Sequence, residues 1–293
     1  MTTAPEVLME PVDSTTILDI GFKDSHPAST RFRGAMRLKV TPTGIQAVNI
    51  VPLESYLRGV VPSEMPALWA LEALKSQAVA ARSYAWPKIK GLGDWDITPT
   101  AANQVYKGVN NEHSRTDQAV AGTTGKILLY NGKVAAAYYH SAAGGHTENT
   151  EYAFVGKTGN LGTKVGYARG VPDYDANGVA YDAKSPDYDW QSVQFTMAQL
   201  SQIMSANYRT DVGEIYNITF YRGVSGRIYK VFLEGSKGEL FASGGVFKNT
   251  YNDNRLGGPS VKSTMYWINA VPVEPPAEPS PEPSPEPSPT PSP

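Results

Sequence analysis

Residues 61–86, VPSEMPALWALEALKSQAVAARSYAW, constrain this chain more than any other stretch. Leu71, Leu74, Ala78, Ala81 and Ala85 recur at helical spacing, which predicts a helix ending at Pro87 with a narrow stripe of small residues that permits close packing. Upstream, Pro62 and Pro66 fix their own φ and bias Val61 and Met65 toward extended backbone, so Ser63-Glu64-Met65-Pro66 reads as a rigid turn leading into that helix. The local pattern leaves Glu64 with two roles. Either Ser63 caps the helix and Glu64 complements its dipole, or the turn fixes a carboxylate where it can transfer a proton. Glu72 and Lys75 are spaced to pair on the exposed side, a contribution of about 0.3 kcal/mol.

The remainder alternates short strands with turns. Strands are predicted over residues 16–22, 32–40 and 45–51, with a turn at Thr41-Pro42-Thr43-Gly44. Asn131-Gly132, the preferred pair for a type I′ turn, joins predicted strands 126–130 and 133–139. Thr196 is placed to cap a helix reaching about Tyr208, residues 215–222 and 227–234 form a second hairpin, and 263–269 a last strand. Residues 150–190 have weak periodicity and read as a long functional loop or lid; Tyr152, Tyr167, Tyr174, Tyr181 and Tyr188 either offer flat apolar faces with a polar tip to a ligand or simply pack.

Eleven of the 22 residues from 272 to 293 are proline. Such a tail builds no core, and as polyproline II at ~3.1 Å per residue it would reach roughly 70 Å, a spacer or a linker to another domain if not plain disorder. Its Glu274, Glu278, Glu282 and Glu286 outweigh the chain's net charge of −2, so the rest is nearly balanced. Nothing basic enough for a nucleic-acid partner is present, and no apolar run approaches the ~20 residues that span a bilayer. The absence of cysteine excludes disulfides and thiolate chemistry. We expect an α+β, strand-rich domain over 15–270 with one principal helix, between an N-terminal extension (1–14) and a Pro/Glu/Ser-rich, disordered tail (271–293).

The signature segment and several further motifs, taken in order, resemble the SpoIID/LytB family of peptidoglycan lytic transglycosylases and amidase enhancers. The motifs are LESYLRG (53–59), NQVYKG (103–108), AVAGTTGKILL (119–129) and AYYHSAAGGHT (137–147), with a weaker trace near Ser225-Gly226-Arg227 and Leu256-Gly257. The resemblance covers roughly residues 45–269 and makes the principal helix the family's signature helix. It implies Glu64 as the catalytic acid, with Arg82, Ser83, Tyr84, Gln104, Tyr106, His140, Ser141, Gly144, Gly145, His146 and Thr147 along a substrate groove. It also implies glycan strands of peptidoglycan as substrate, a cell-wall amidase as a partner, and an extracytoplasmic location. The opening MTTAPEVLMEPV shows no export signal, which we take as trimmed.

Breaking a glycosidic bond requires a proton for the leaving oxygen and a group to quench an oxocarbenium-like centre. Lytic transglycosylases supply one acidic residue, and the 6-hydroxyl of N-acetylmuramic acid closes onto C1 to give a 1,6-anhydro end. A helix N-terminus favours an ionised carboxylate, so Glu64 in that position needs desolvation by Met65, Trp69 or the tyrosine-rich loop to keep its proton. Some relatives use zinc through His and Cys ligands near the residues corresponding to His140 and His146; without cysteine that set cannot form, so no cofactor is expected. Two other readings remain, a non-catalytic amidase enhancer of the same fold and a stalked structural surface protein.

Overall fold

The computed structural model describes residues 5–21, 30–91, 93–190 and 195–266. The proline-rich tail lies outside the described residues. The chain divides between His140 and Ser141 into two compact units.

In the first unit, strands β1 (Glu6–Met9), β4 (Ala35–Thr41) and β5 (Gly44–Ile50) form an antiparallel sheet in the order β1-β4-β5, with Leu38 opposite Val7 on one side and Ala47 on the other. Strand β1 falls within the stretch read from sequence as an N-terminal extension. Strands β2 (Leu18–Ile20) and β3 (Thr30–Phe32) pair separately. Helices α1 (Leu53–Glu64), α2 (Leu71–Ala85) and α3 (Ser114–Ala121) follow, and strands β6 (Leu129–Tyr130) and β7 (Lys133–Val134) close the unit. Asn131 at φ 50 and Gly132 at φ 75 make the expected hairpin turn, although its strands are far shorter than predicted.

The expectation of one principal helix fails here. Tyr56, Leu57, Val60 and Val61 of α1 meet Ala78, Ala81 and Ala85 of α2 and Val120 of α3 in one core cluster. The small-residue stripe does what its pattern predicts, since Ala78, Ala81 and Ala85 are fully buried and let the helices approach. Pro62 hid α1 in the sequence. It lies inside the helix, where its missing N–H forfeits one intrahelical bond. Burial of Val60 and Val61, about 1.5–3 kcal/mol for each side chain, offsets that loss and holds Val61 helical against the bias imposed by the following proline. At Pro66 the bias prevails: Met65 turns extended (φ −139, ψ 133) and ends α1 at Glu64.

Gly59 on α1 is where two sequence motifs lock together. A Cβ there would come within 2.6 Å of the Tyr106 ring, which stacks on Tyr56 at 5.0 Å and donates from its hydroxyl to Asn49 Oδ1. Gly59→Ala should therefore lower the unfolding midpoint. Overpacking of about 1–3 kcal/mol outweighs the ~1 kcal/mol that alanine gains in a helix interior. A neutral or stabilising outcome in thermal melts would mean that Tyr106 swings aside freely.

In the second unit, β8 (Ile215–Arg222), β9 (Ile228–Gly235) and β10 (Gly238–Ser243) form an antiparallel sheet in the order β10-β9-β8. Two helices cover it. Before the sheet, α4 (Thr150–Ala153) is a single short turn; α5 (Met197–Ser205) opens on the Thr196 cap predicted from sequence, here a full capping box with Gln199; and α6 (Gly244–Asn254) opens on a Ser243 cap. Leu200, Ile203 and Met204 of α5 and Phe247 and Tyr251 of α6 pack on Ile215, Ile228, Val231 and Leu233. Residues 263–266 are not a strand, contrary to expectation, though Thr264 O accepts from Ile228 N; 267–269 lie outside the described residues. Among the described residues no helix is long and apolar enough to cross a membrane.

Candidate active site

Glu64 is the last residue of α1, not a residue at the start of the signature helix. Helix α2 begins at Leu71 on Ala70, with no side-chain cap, and Glu72 occupies its acidic first turn. Ser63 is correspondingly no cap: its hydroxyl donates back to Gly59 O at 2.7 Å and accepts from Asn111 Nδ2 at 2.9 Å. The carboxylate of Glu64 therefore does not face the positive end of a helix, and the objection raised on that ground lapses.

Its surroundings also differ from those expected. Trp69 is 55% exposed and does not desolvate it. Glu64 is half-buried, and its Oε1 accepts from the Val105 backbone N–H at 2.6 Å. The Tyr139 hydroxyl and the Tyr56 phenol both lie within the field of the same carboxyl group. Burial is the main cause that pushes the Tyr56, Tyr106 and Tyr139 hydroxyls far above their ordinary value, so all three stay neutral phenols in the physiological range.

Gln104 organises this cluster from below. Fully buried, it accepts from Tyr56 Oη at 3.2 Å and donates to Ala81 O at 3.2 Å and to Tyr139 Oη at 3.0 Å. Both its amide hydrogens and its carbonyl are used. Because Tyr139 Oη accepts from Gln104, its own proton is free to point at Glu64. Glu54 and Glu112 are each ion-paired to arginine, whereas Glu64 enters no ion pair among the described residues.

Three expected substrate contacts lie inside the fold. Arg82 is 1% exposed and Ser83 and Gln104 are fully buried, so none of them reaches a ligand in this conformation. Arg82 forks onto Glu54 (Nε to Oε1 2.8 Å, Nη2 to Oε2 2.7 Å), and Ser83 Oγ accepts from Leu128 N at 2.9 Å. Tyr106 is a packing residue, as described above. Tyr84 is half-buried and meets Tyr138 and Tyr139 edge-on at 6.0 and 6.1 Å. Val105 and Tyr139 were not singled out from the sequence. Both stand in family motifs, but nothing in their residue types signals a backbone donor or an oriented phenol.

The 140–147 loop falls across the division between the units, with His140 exposed at the end of the first. In the second unit Ser141 is exposed, while Gly144 N–H is already given to Asp182 Oδ2 at 2.7 Å. Gly144 and Gly145 have φ of 62 and 85, and a Cβ on Gly145 would strike the Tyr174 hydroxyl. The two glycines therefore serve the turn and Tyr174, and the expected open approach to a sugar at Gly145 is filled. His146 Nδ1 lies 2.6 Å from Thr147 O, and Thr147 N donates to Val171 O. Arg227, at the weak trailing motif, clamps the loop by donating to His146 O at 2.8 Å and Ala143 O at 2.5 Å. With no cysteine in the chain and one His146 nitrogen held by a carbonyl, these residues do not make the His and Cys set of zinc-dependent relatives.

Residues 41–130, which hold α1, α2, α3 and Glu64, match the profile of the SpoIID family, described as stage II sporulation protein. The chain is similar to stage II sporulation protein D of Bacillus subtilis, 34% identical over 200 residues, covering 60% of this chain and 53% of that protein. It is 36% identical over 155 residues to the amidase enhancer of Bacillus subtilis, covering 50% of this chain and 21% of the relative. An uncharacterised protein of Brachyspira hyodysenteriae is 40% identical over 133 residues, covering 44% of this chain and 34% of its own length. The chain thus spans about half or less of the length of the curated relatives it matches. The shared part contains the motifs that position Glu64, and over residues 41–130 the chain is similar to the SpoIID family.

Proposed function

We propose that this protein acts on the bacterial cell wall as a peptidoglycan lytic transglycosylase, with Glu64 as its acid and base. The observation that carries the reading is the state of that carboxyl group: half-buried, outside any ion pair among the described residues, and held by Val105 N–H. A backbone donor at Oε1 orients the group in either protonation state, since the proton can sit on Oε2. Glu64 gives that proton to the N-acetylglucosamine oxygen as the bond to C1 of N-acetylmuramic acid breaks. The carboxylate then takes the proton of the muramic 6-hydroxyl as it closes onto C1, leaving a 1,6-anhydro end and Glu64 protonated again. Tyr139 stabilises the intervening anion by its hydroxyl. An extracytoplasmic location follows from this substrate.

Similarity to an amidase enhancer favours a second reading, a glycan-binding module that stimulates an amidase without cutting the strand. Mass spectrometry of sacculi and of stem-free glycan after incubation with the protein decides between them. Anhydro-muramic ends produced by the protein alone are expected. No cleavage, with acceleration of an added cell-wall amidase, overturns the enzymatic reading in favour of the second.

A further inference from the structure

Beside the Glu64 cluster the first unit has an open cleft of about 620 Å³, within the usual range of small-ligand sites. Its walls include Tyr84, Tyr138 and Trp95, with Lys88 and Lys90 at its edge. Two links join the cleft wall to the site. Tyr84 meets Tyr139, the phenol that Gln104 holds beside Glu64, and Asn103 in the cleft wall precedes Gln104 in the chain.

Two lysines edge the cleft. Lys88 and Lys90 enter no ion pair among the described residues, unlike Lys39, Lys75 and Lys237. Lys88 Nζ stands over the Tyr84 ring at 4.6 Å, an arrangement that holds a cation at an aromatic wall. Asp96, the acidic residue of the wall, spends Oδ1 on the backbone N–H groups of Lys90 and Gly91, each at 2.9 Å. Its neighbour Asp94 pairs with Lys39 of β4 at 2.9 Å. The two aspartates thus fix the segment that presents the lysines and leave the ammonium groups for a ligand.

We propose that this cleft is a subsite for the muramic unit of the glycan, reading a carboxylate on its 3-O-lactyl arm through Lys88 and Lys90 while the aromatic wall carries the sugar. The inference rests on the proposed action on peptidoglycan. N-acetylglucosamine is uncharged, so a carboxylate is the feature by which a cationic cleft distinguishes the alternating units and sets the register of the strand over Glu64. That carboxylate is either the free lactyl group of a stem-free strand or one carried on the peptide stem.

The test is calorimetric titration in the Glu64→Gln background, so that no strand is cut. The ligands are chitotetraose and the alternating tetrasaccharide in three forms: free lactyl acid, lactyl methylamide and alanyl-isoglutamate stem. One of the two acidic forms should bind about tenfold tighter than chitotetraose and the methylamide, the size of one charge-assisted contact. Which one gains identifies the source of the carboxylate. The gain should shrink with added salt and vanish in Lys88→Gln/Lys90→Gln, with chitotetraose affinity unchanged as the control for folding. Equal affinity for charged and uncharged forms, or a gain that survives the double substitution, overturns the subsite alone. Failure of every saccharide to bind overturns the peptidoglycan reading with it.

Discussion

Glu64→Gln should reduce release of anhydro-muramic ends by about 10²- to 10⁴-fold, the usual contribution of a positioned general acid or base. Glutamine keeps the shape and can still accept from Val105 N–H through its carbonyl, the bond that carboxylate Oε1 makes at 2.6 Å. It cannot yield or recover a proton. The unfolding midpoint and glycan affinity should consequently stay near wild type, which separates loss of chemistry from loss of structure. Wild-type turnover in the variant would reduce Glu64 to a residue that ties α1 to the 103–108 motif.

Arg82→Ala should destabilise the first unit by about 2–3 kcal/mol in denaturant titrations, less than for a fully buried pair because the Glu54 left behind is 36% exposed and regains water. The guanidinium is 1% exposed, forks onto Glu54 of α1, and donates to Lys126 O at 3.1 Å ahead of β6. Three segments therefore lose a common tie. Arg82→Lys should recover little, because an ammonium cannot reproduce the planar fork that satisfies both carboxylate oxygens and a carbonyl. A stability loss below about 1 kcal/mol accompanied by collapse of glycan affinity would return Arg82 to the substrate groove.

What the sequence made legible follows a physical pattern. The α2 stripe, the Asn131-Gly132 turn, the Thr196 cap and the hairpin of β8 and β9 rest on local rules, and each is present in the structure. Helix α1 was missed because Pro62 argues locally against it, whereas burial of Leu57, Val60 and Val61 decides in its favour. The same error put Glu64 at the wrong end of a helix. Strand β10 and helix α6 were missed too, although Ser243-Gly244-Gly245 at their seam carries the cap on which α6 opens. At the site, the motifs located Glu64 and Gln104, but residue type could not reveal that Gln104 is sealed beneath Tyr139 or that Val105 contributes only its backbone.

The interlocking of α1 with residues 103–111 makes the Glu64 site a unit of inheritance larger than a motif. Glu64 is carried by one segment, but its aim is set by the other, through Val105 N–H on the carboxylate, Tyr106 against Gly59, and Asn111 on Ser63. A recombination junction or shuffled fragment ending between them would transmit a recognisable signature helix with an unaimed carboxylate. Lineages exchanging pieces of such chains should therefore swap residues 53–111 whole, and substitutions at Gly59 should be found with matching changes at Tyr106.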